Sequence, residues 1–173
     1  IIRVVEIGGG YGALAHYFSQ IFNNRIKYSI IDIPESLAFA SVYCSSVSLN
    51  TPTVLIDKLE KNQLMDQPCL ELVPNIYSSF LEDGDETVDL CINTLSLSEM
   101  SPEQVAHYCR LIQILIGKNG IFFEQNRASN ELQLGATFLR YFKKLRKCQS
   151  KLFTHFEEFR GEANLWASTD WIK

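Results

Sequence analysis

Four glycines in five positions, Gly8-Gly9-Gly10-Tyr11-Gly12, directly follow the β-branched run Ile2 to Ile7. No other part of the chain constrains the fold as strongly. A continuous apolar strand belongs in the buried middle of a parallel sheet. Glycines at its end let the backbone turn through positive φ and bring the main chain close to a ligand. From Ala13 to about Phe22, Leu14, Tyr17, Phe18, Ile21 and Phe22 recur at helical spacing, and Asn23-Asn24 closes the stripe. Strand, glycine loop and helix in this order open a doubly wound sheet, whose ligand crevice lies at the junction.

The alternation continues. Tyr28 to Ile31 reads as a second strand ending at Asp32, and Pro34 suits the first turn of a helix running to about Val47. Thr53 to Ile56 and Leu70 to Val73 compete for the third strand; the second is preferred and the first is expected to be an irregular excursion. Val88 to Asn93 is strand four, after the turn Glu82 to Asp85. Ser101-Pro102-Glu103-Gln104 carries a capping-box pattern ahead of the stripe Val105, Tyr108, Cys109, Ile112, Leu115 and Ile116. Gly117 to Gly120 ends that helix, and Ile121 to Glu124 begins strand five. Phe138 to Cys148 is expected to be an amphipathic helix. Leu152 to Phe156 and Ala163 to Trp166 are then expected as two last strands joined through Arg160-Gly161. The whole describes an α/β fold with a mainly parallel sheet, formed as a single domain over residues 1–173.

Composition excludes several classes. The chain has 173 residues, 46% of them hydrophobic, with a net charge of −4, so it lacks the basic excess of a nucleic-acid binder. No apolar run is long enough to span a bilayer, and the composition is not that of a disordered chain. Five scattered cysteines without a C-x-x-C pair point to reduced thiols in a cytoplasmic protein. The chain starts inside a strand without a Met, so an N-terminal part of the native protein is expected to lie outside it.

Two cofactor chemistries compete for the glycine loop. A dinucleotide fingerprint fits Gly8, Gly10 and Ala13, with Asp32 about twenty residues later. An acidic residue followed by x-G-x-G-x-G is met in full by Glu6, Gly8, Gly10 and Gly12. The carboxylate favours the second pattern, because it suits the cationic end of a ligand and does nothing for a pyrophosphate.

This pattern resembles motif I of the class I S-adenosylmethionine-dependent methyltransferases. The phrases Ile31-Asp32-Ile33-Pro34-Glu35, Asn93 to Met100 and Glu124-Gln125-Asn126-Arg127 are similar, in this order, to those of the bacterial sugar O-methyltransferases. The resemblance implies a Rossmann-like three-layer sandwich whose seven-stranded sheet has six parallel strands and an antiparallel last one. It implies S-adenosyl-L-methionine as cofactor, with Glu6 near its methionine part, Gly8, Gly9, Gly10 and Gly12 beneath it and Asp32 on the ribose. Ile33, Asn75 and Asn93 join the expected cofactor contacts. Where many members place an acidic residue after strand three, this chain has Pro74-Asn75-Ile76. The implied reaction is O-methylation of a sugar hydroxyl on a small-molecule or glycan acceptor, without nucleic acid or membrane insertion. A nicotinamide-dependent oxidoreductase is the enzyme rival, and a binding module that keeps the fold without turnover is the other.

Transfer to a hydroxyl requires alignment and a place for the hydroxyl proton. Asn93, Thr94, Ser96, Ser98, Glu99, Gln125, Asn126 and Arg127 follow strands four and five and face the crevice in such a fold. Glu99 is the candidate base, or else a helix-terminal charge. Asn93 and Asn126 are candidate hydrogen-bonding catalytic groups, or else turn residues. His16, His107 and His155 lie far apart and show no metal-ligand spacing. Arg140, Lys143, Lys144, Arg146, Lys147 and Lys151 form a basic cluster that reads as a solvated face or as a contact for an anionic sugar acceptor.

Overall fold

The computed structural model describes residues 1–22, 25–48, 50–56, 67–83, 87–127, 133–148 and 163–169. Strand β1 (Ile2–Ile7) is buried over its last four residues, and it lies at the centre of an eight-stranded sheet. Its odd residues Val5 and Ile7 feed one apolar cluster and Val4 feeds the other. That is the two-sided burial expected of a strand with helices on both faces. The remaining strands are β2 (Ile26–Asp32), β3 (Thr53–Leu55), β4 (Cys69–Pro74), β5 (Leu90–Thr94), β6 (Ile121–Gln125), β7 (Phe142–Cys148) and β8 (Ala163–Ser168). The order across the sheet is β3-β4-β2-β1-β5-β6-β8-β7. From β3 to β6 every neighbouring pair is parallel, and β8 is antiparallel to both β6 and β7.

Helices α1 (Ala13–Ile21) and α2 (Pro34–Val47) cover one face, where Ala15, Leu37, Ala40 and Cys44 pack on Val4, Tyr28, Ile30 and Leu72. Helix α3 (Pro102–Ile116) covers the other, placing Val105, Ile112 and Ile116 with Val5, Ile7, Ile31 and Phe122. The short α4 (Leu134–Phe138) adds Leu134 and Phe138 to the same cluster. These three layers are the expected Rossmann-like sandwich. The α1 and α2 bounds agree closely with the helical stripe and with Pro34 at the first turn.

Two expectations are corrected. Thr53–Leu55 is a strand rather than an excursion, and it brings the sheet to eight strands instead of seven. The physical reason is the exposed rim of β4: Leu70 N–H donates to Pro52 O at 2.8 Å, and Ile56 N–H donates to Leu72 O at 2.9 Å. A three-residue strand satisfies main-chain groups that burial would otherwise leave unpaired. The second correction concerns Phe138 to Cys148, which is not one helix: α4 ends at Phe138, a turn follows, and β7 occupies Phe142–Cys148. Phe138, Phe142 and Leu145 do carry helical spacing. Packing overrides it, because Phe142 at 1% exposure stacks 5.2 Å from Phe122 while Phe138 meets Trp166 at 5.7 Å. The outer partner of β8 is therefore β7. Asn23-Asn24, the tip of the Glu82 to Asp85 turn, the expected strand Leu152 to Phe156, Arg160-Gly161, Lys151 and His155 lie outside the described residues.

Because β1, β2, β4, β5 and β6 run in one direction, their carboxyl ends bring Gly8, Asp32, Asn75, Leu95 and Asn126 to the same edge of the sheet. The far wall of that edge depends on α3, whose start is held by a complete capping box: Gln104 N–H donates to Ser101 Oγ, and Ser101 N–H donates to Gln104 Oε1 at 2.9 Å. Ser101→Ala should lower the unfolding free energy by about 1 kcal/mol in urea titration, with a range of roughly 0.5–2. A change below about 0.3 kcal/mol would show that the cap is dispensable.

Candidate active site

The β1–α1 junction adopts the backbone that glycine alone takes without strain. Gly8 has φ +73°, and a Cβ there would collide with the Ser96 side chain. Its N–H donates to Ile31 O at 2.8 Å, which keeps the loop level with β2. Gly10 has φ +57°, and the direction its Cβ would take meets no atom within 4 Å. Gly12 caps α1, and His16 N–H donates to its carbonyl at 3.1 Å. The loop is thus closed against protein at Gly8 and open at Gly10.

Asp32 at the end of β2 accepts the Gly10 N–H on Oδ2 at 2.8 Å and the Ile33 N–H on Oδ1 at 2.7 Å. A carboxylate offers about four lone-pair sites, so each oxygen retains capacity for a ligand hydroxyl. Ile33 is exposed, and Asn75 stands just beyond β4, half-buried. Glu6 is placed differently from the loop it precedes. It is 2% exposed beneath Gly9, where a Cβ would lie 2.8 Å from its Oε2, and it accepts the Tyr28 hydroxyl proton at 2.8 Å. Burial pushes the Glu6 carboxyl up to about 7; the Tyr28 hydrogen bond opposes this and the nearby Asp32 charge adds to it. Tyr108 on α3 is also raised, chiefly by burial and then by the Asp32 charge.

The ends of β5 and β6 form the opposite wall. Asn93, fully buried, donates from Nδ2 to Ile7 O at 2.8 Å and to Ser96 Oγ, and its Oδ1 accepts Leu97 N–H at 3.4 Å. Leu95 takes φ +69°, an uncommon conformation for a branched residue, and its N–H donates to Gln125 O at 2.7 Å. It starts the 3-10 turn Ser96–Glu99. Asn126 Oδ1 accepts Ser98 N–H at 3.2 Å, and its Nδ2 donates to Glu124 Oε2 at 3.0 Å. Glu124 also receives Asn164 Nδ2 at 2.6 Å and Trp166 Nε1 at 3.3 Å. Burial raises its pKa, while those three hydrogen bonds pull it back. Glu99 ends the turn with its side chain exposed.

The sequence candidates therefore reach one edge of the sheet but divide by exposure. Gly10 and Asp32 are half-buried and Glu99 is exposed, whereas Asn93 and Asn126 are buried and spend their amides on the protein. Sequence reasoning missed Tyr28 and Glu124 as polar partners; a tyrosine and a glutamate inside otherwise apolar strands were the available signal. His16 and His107 bond the hydroxyls of Ser48 and Ser78 at 3.0 and 3.1 Å. Among the described residues no group of three His, Cys, Asp or Glu is placed to hold a metal, and no helix is long and apolar enough to cross a membrane.

Comparison with solved structures identifies the architecture. Fibrillarin from Aeropyrum pernix, solved with natively bound S-adenosyl-L-methionine, superposes with a TM-score of 0.64 at 12% identity over 96% of this chain and 66% of that one. An rRNA methylase from Streptococcus thermophilus gives 0.65 at 11% identity, covering 98% of this chain and 87% of the other. The O-methyltransferase NcsB1 of neocarzinostatin biosynthesis, in complex with S-adenosyl-L-homocysteine, gives 0.63 at 11% identity, over 95% and 49%. The chain thus spans two-thirds or less of fibrillarin and half of NcsB1. No protein-family model matches the sequence, and no curated protein matches it. The fold is that of the class I S-adenosylmethionine-dependent methyltransferases.

The buried Glu6 makes a pH prediction. A carboxyl whose folded pKa lies above its ordinary value binds a proton in the folded state that the unfolded chain has already lost, so stability falls as pH rises from about 4.5 to about 7. The shift corresponds to roughly 3 kcal/mol. Glu6→Gln should lose this slope and exceed the parent's unfolding free energy at pH 8 while matching it at pH 4, read by urea unfolding. Parallel pH profiles for the two proteins would contradict the assignment.

Proposed function

We propose that the chain is one cofactor-binding domain that uses S-adenosyl-L-methionine to methylate a sugar hydroxyl, on a small-molecule or glycan acceptor in the cytoplasm of a bacterium. The observation that carries this is the Asp32 clamp: its carboxylate fixes Gly10 N–H, keeps lone pairs for ribose hydroxyls, and stands beside the open side of the loop. The same fold in proteins solved with this cofactor or its demethylated product supports the reading. The sugar acceptor rests on the phrases Ile31 to Glu35, Asn93 to Met100 and Glu124 to Arg127.

When bound, the cofactor supplies a methyl group on a positively charged sulfur. The chain's residues supply the rest. Gly8, Gly9, Gly10 and Gly12 would lie beneath the cofactor, Asp32 would hold the ribose hydroxyls, and Ile33 and Asn75 would stand beside the base. Glu6 lies under that loop, where the charge of a cationic group bound above would favour its ionised form. Glu99 accepts the acceptor's hydroxyl proton at the rim. Asn93 and Asn126 act as positioning residues: through Ile7 O, Ser96 and Ser98 N–H they hold the turn that carries Glu99.

Two measurements test this. Calorimetry should show S-adenosylhomocysteine binding and no NADH binding, and Asp32→Ala should weaken the former by about 1–3 kcal/mol. Binding of NADH alone would overturn the cofactor assignment. For Glu99→Gln, affinity and melting temperature should stay near the parent's while turnover across a sugar panel falls about 10²- to 10⁴-fold. Turnover within about threefold of the parent would make Glu99 structural.

A further inference from the structure

Strand β7 is one edge of the sheet, and Lys143, Lys144, Leu145, Arg146 and Lys147 are all exposed along it. Arg140, in the turn before it, is exposed as well. Six Lys and Arg and no Asp or Glu occur between Glu131 and Glu157, leaving a charge of −10 for the rest of a chain whose net charge is −4. Charges on an edge strand, lysine above all, discourage pairing with other chains, but Arg140, in the turn before β7, and Arg127, beyond β6, lie off that strand and outside this role. Lys143 shares one face of the strand with Arg146, and Lys144 shares the other with Lys147, a self-repulsion that mixed signs would avoid. An anionic partner accounts for the uniform sign.

The register places this stripe next to the candidate acceptor wall. Lys147 pairs with Asn164, which pairs with Glu124, so Lys147 stands two strands, about 10 Å, from the end of β6. Arg127, two residues beyond β6, is exposed as well, at the same end of the sheet as the turn Ser96–Glu99. A bulge between Lys144 and Arg146 sets Lys144 and Lys147 opposite Trp166 and Asn164, and Lys143 and Arg146 opposite Ala167 and Leu165. Cations therefore flank both sides of the edge. Lys144 Nζ lies 5.4 Å from the Trp166 ring centroid, which holds one of them in place. From Lys143 to Lys147 the strand rises about 13 Å, longer than a single anionic group occupies.

We propose that β7 and Arg127 bind the anionic part of the acceptor, an acidic glycan that carries more than one carboxylate or phosphate and lies along the sheet edge with its target sugar at the Ser96–Glu99 turn. This rests on the methyltransferase reading above. The glycan's hydroxyls supply the methyl acceptor, and its repeated charges supply the affinity that neutral sugars lack.

The test measures binding of fluorescent oligogalacturonate, a phosphodiester-linked ribitol oligomer and neutral galactan to the intact chain, with S-adenosylhomocysteine binding measured in parallel. At least one acidic glycan should bind and galactan should not, the preferred one distinguishing carboxylate from phosphate. Affinity should fall as salt rises from about 50 to 200 mM. Lys143→Glu with Arg146→Glu should weaken binding at least about tenfold, and the Gln pair should give a smaller loss. Lys118→Glu, on the turn at the opposite end of β6, should leave it unchanged. Galactan binding equal to that of the acidic glycans, affinity within about twofold in the Glu pair, or tighter binding of a single-stranded RNA of equal charge would each overturn the proposal. Failure of the parent to bind S-adenosylhomocysteine would count against the methyltransferase reading instead, since the β7 variants leave that site untouched.

Discussion

The hydrogen bond from Gly10 N–H to Asp32 Oδ2 joins the loop after β1 to the end of β2, and the candidate site depends on it. A backbone at positive φ with no side chain has little of its own to keep it in place. The Asp32 carboxylate supplies that restraint from one side, and Ile31 O, receiving Gly8 N–H, supplies it from below. Asn93 completes the arrangement by tying Ile7 O to Ser96, whose side chain fills the space a Cβ on Gly8 would need. The loop is held by three strands at once while its Gly10 side stays open.

Burying polar groups next to this loop is costly unless each is paired. Glu6 meets the cost through Tyr28 and through a raised proton affinity. Glu124 meets it with three donors, Asn126, Asn164 and Trp166, and so braces the turn through Asn126 and Ser98. The two carboxyls serve different walls of one crevice. The first lies beneath Gly9; the second, through Asn126, fixes the turn Ser96–Glu99.

Much of this was legible in the sequence where local and tertiary preferences agree. Ile2 to Ile7, Pro34 to Val47 and the Ser101 capping box each announce an element whose bounds the structure closely reproduces, because burial, proline geometry and capping act in the same direction there. Gly8, Gly10 and Gly12 were legible because glycine spacing reports backbone demands directly, and all three take positive φ. The failures come where packing overrides local pattern. Phe138 to Cys148 has helical spacing, but the aromatic cluster of Phe122, Phe138, Phe142 and Trp166 draws Phe142 into an edge strand. Thr53–Leu55 is too short to signal itself and forms because β4 needs a partner. The burial of Asn93 and Asn126 was also hidden, since an asparagine at a strand end looks the same whether its amide faces a ligand or the protein.

The central claim is that the Gly8–Gly12 loop and Asp32 form a nucleoside site made for S-adenosylmethionine. A crystal structure of the complex with S-adenosylhomocysteine tests it most directly. The account predicts ribose hydroxyls on the free lone pairs of Asp32 and the amino-acid end across the loop above Glu6. Density for the ligand away from this edge of the sheet, or a ribose that leaves Asp32 uncontacted, would contradict it.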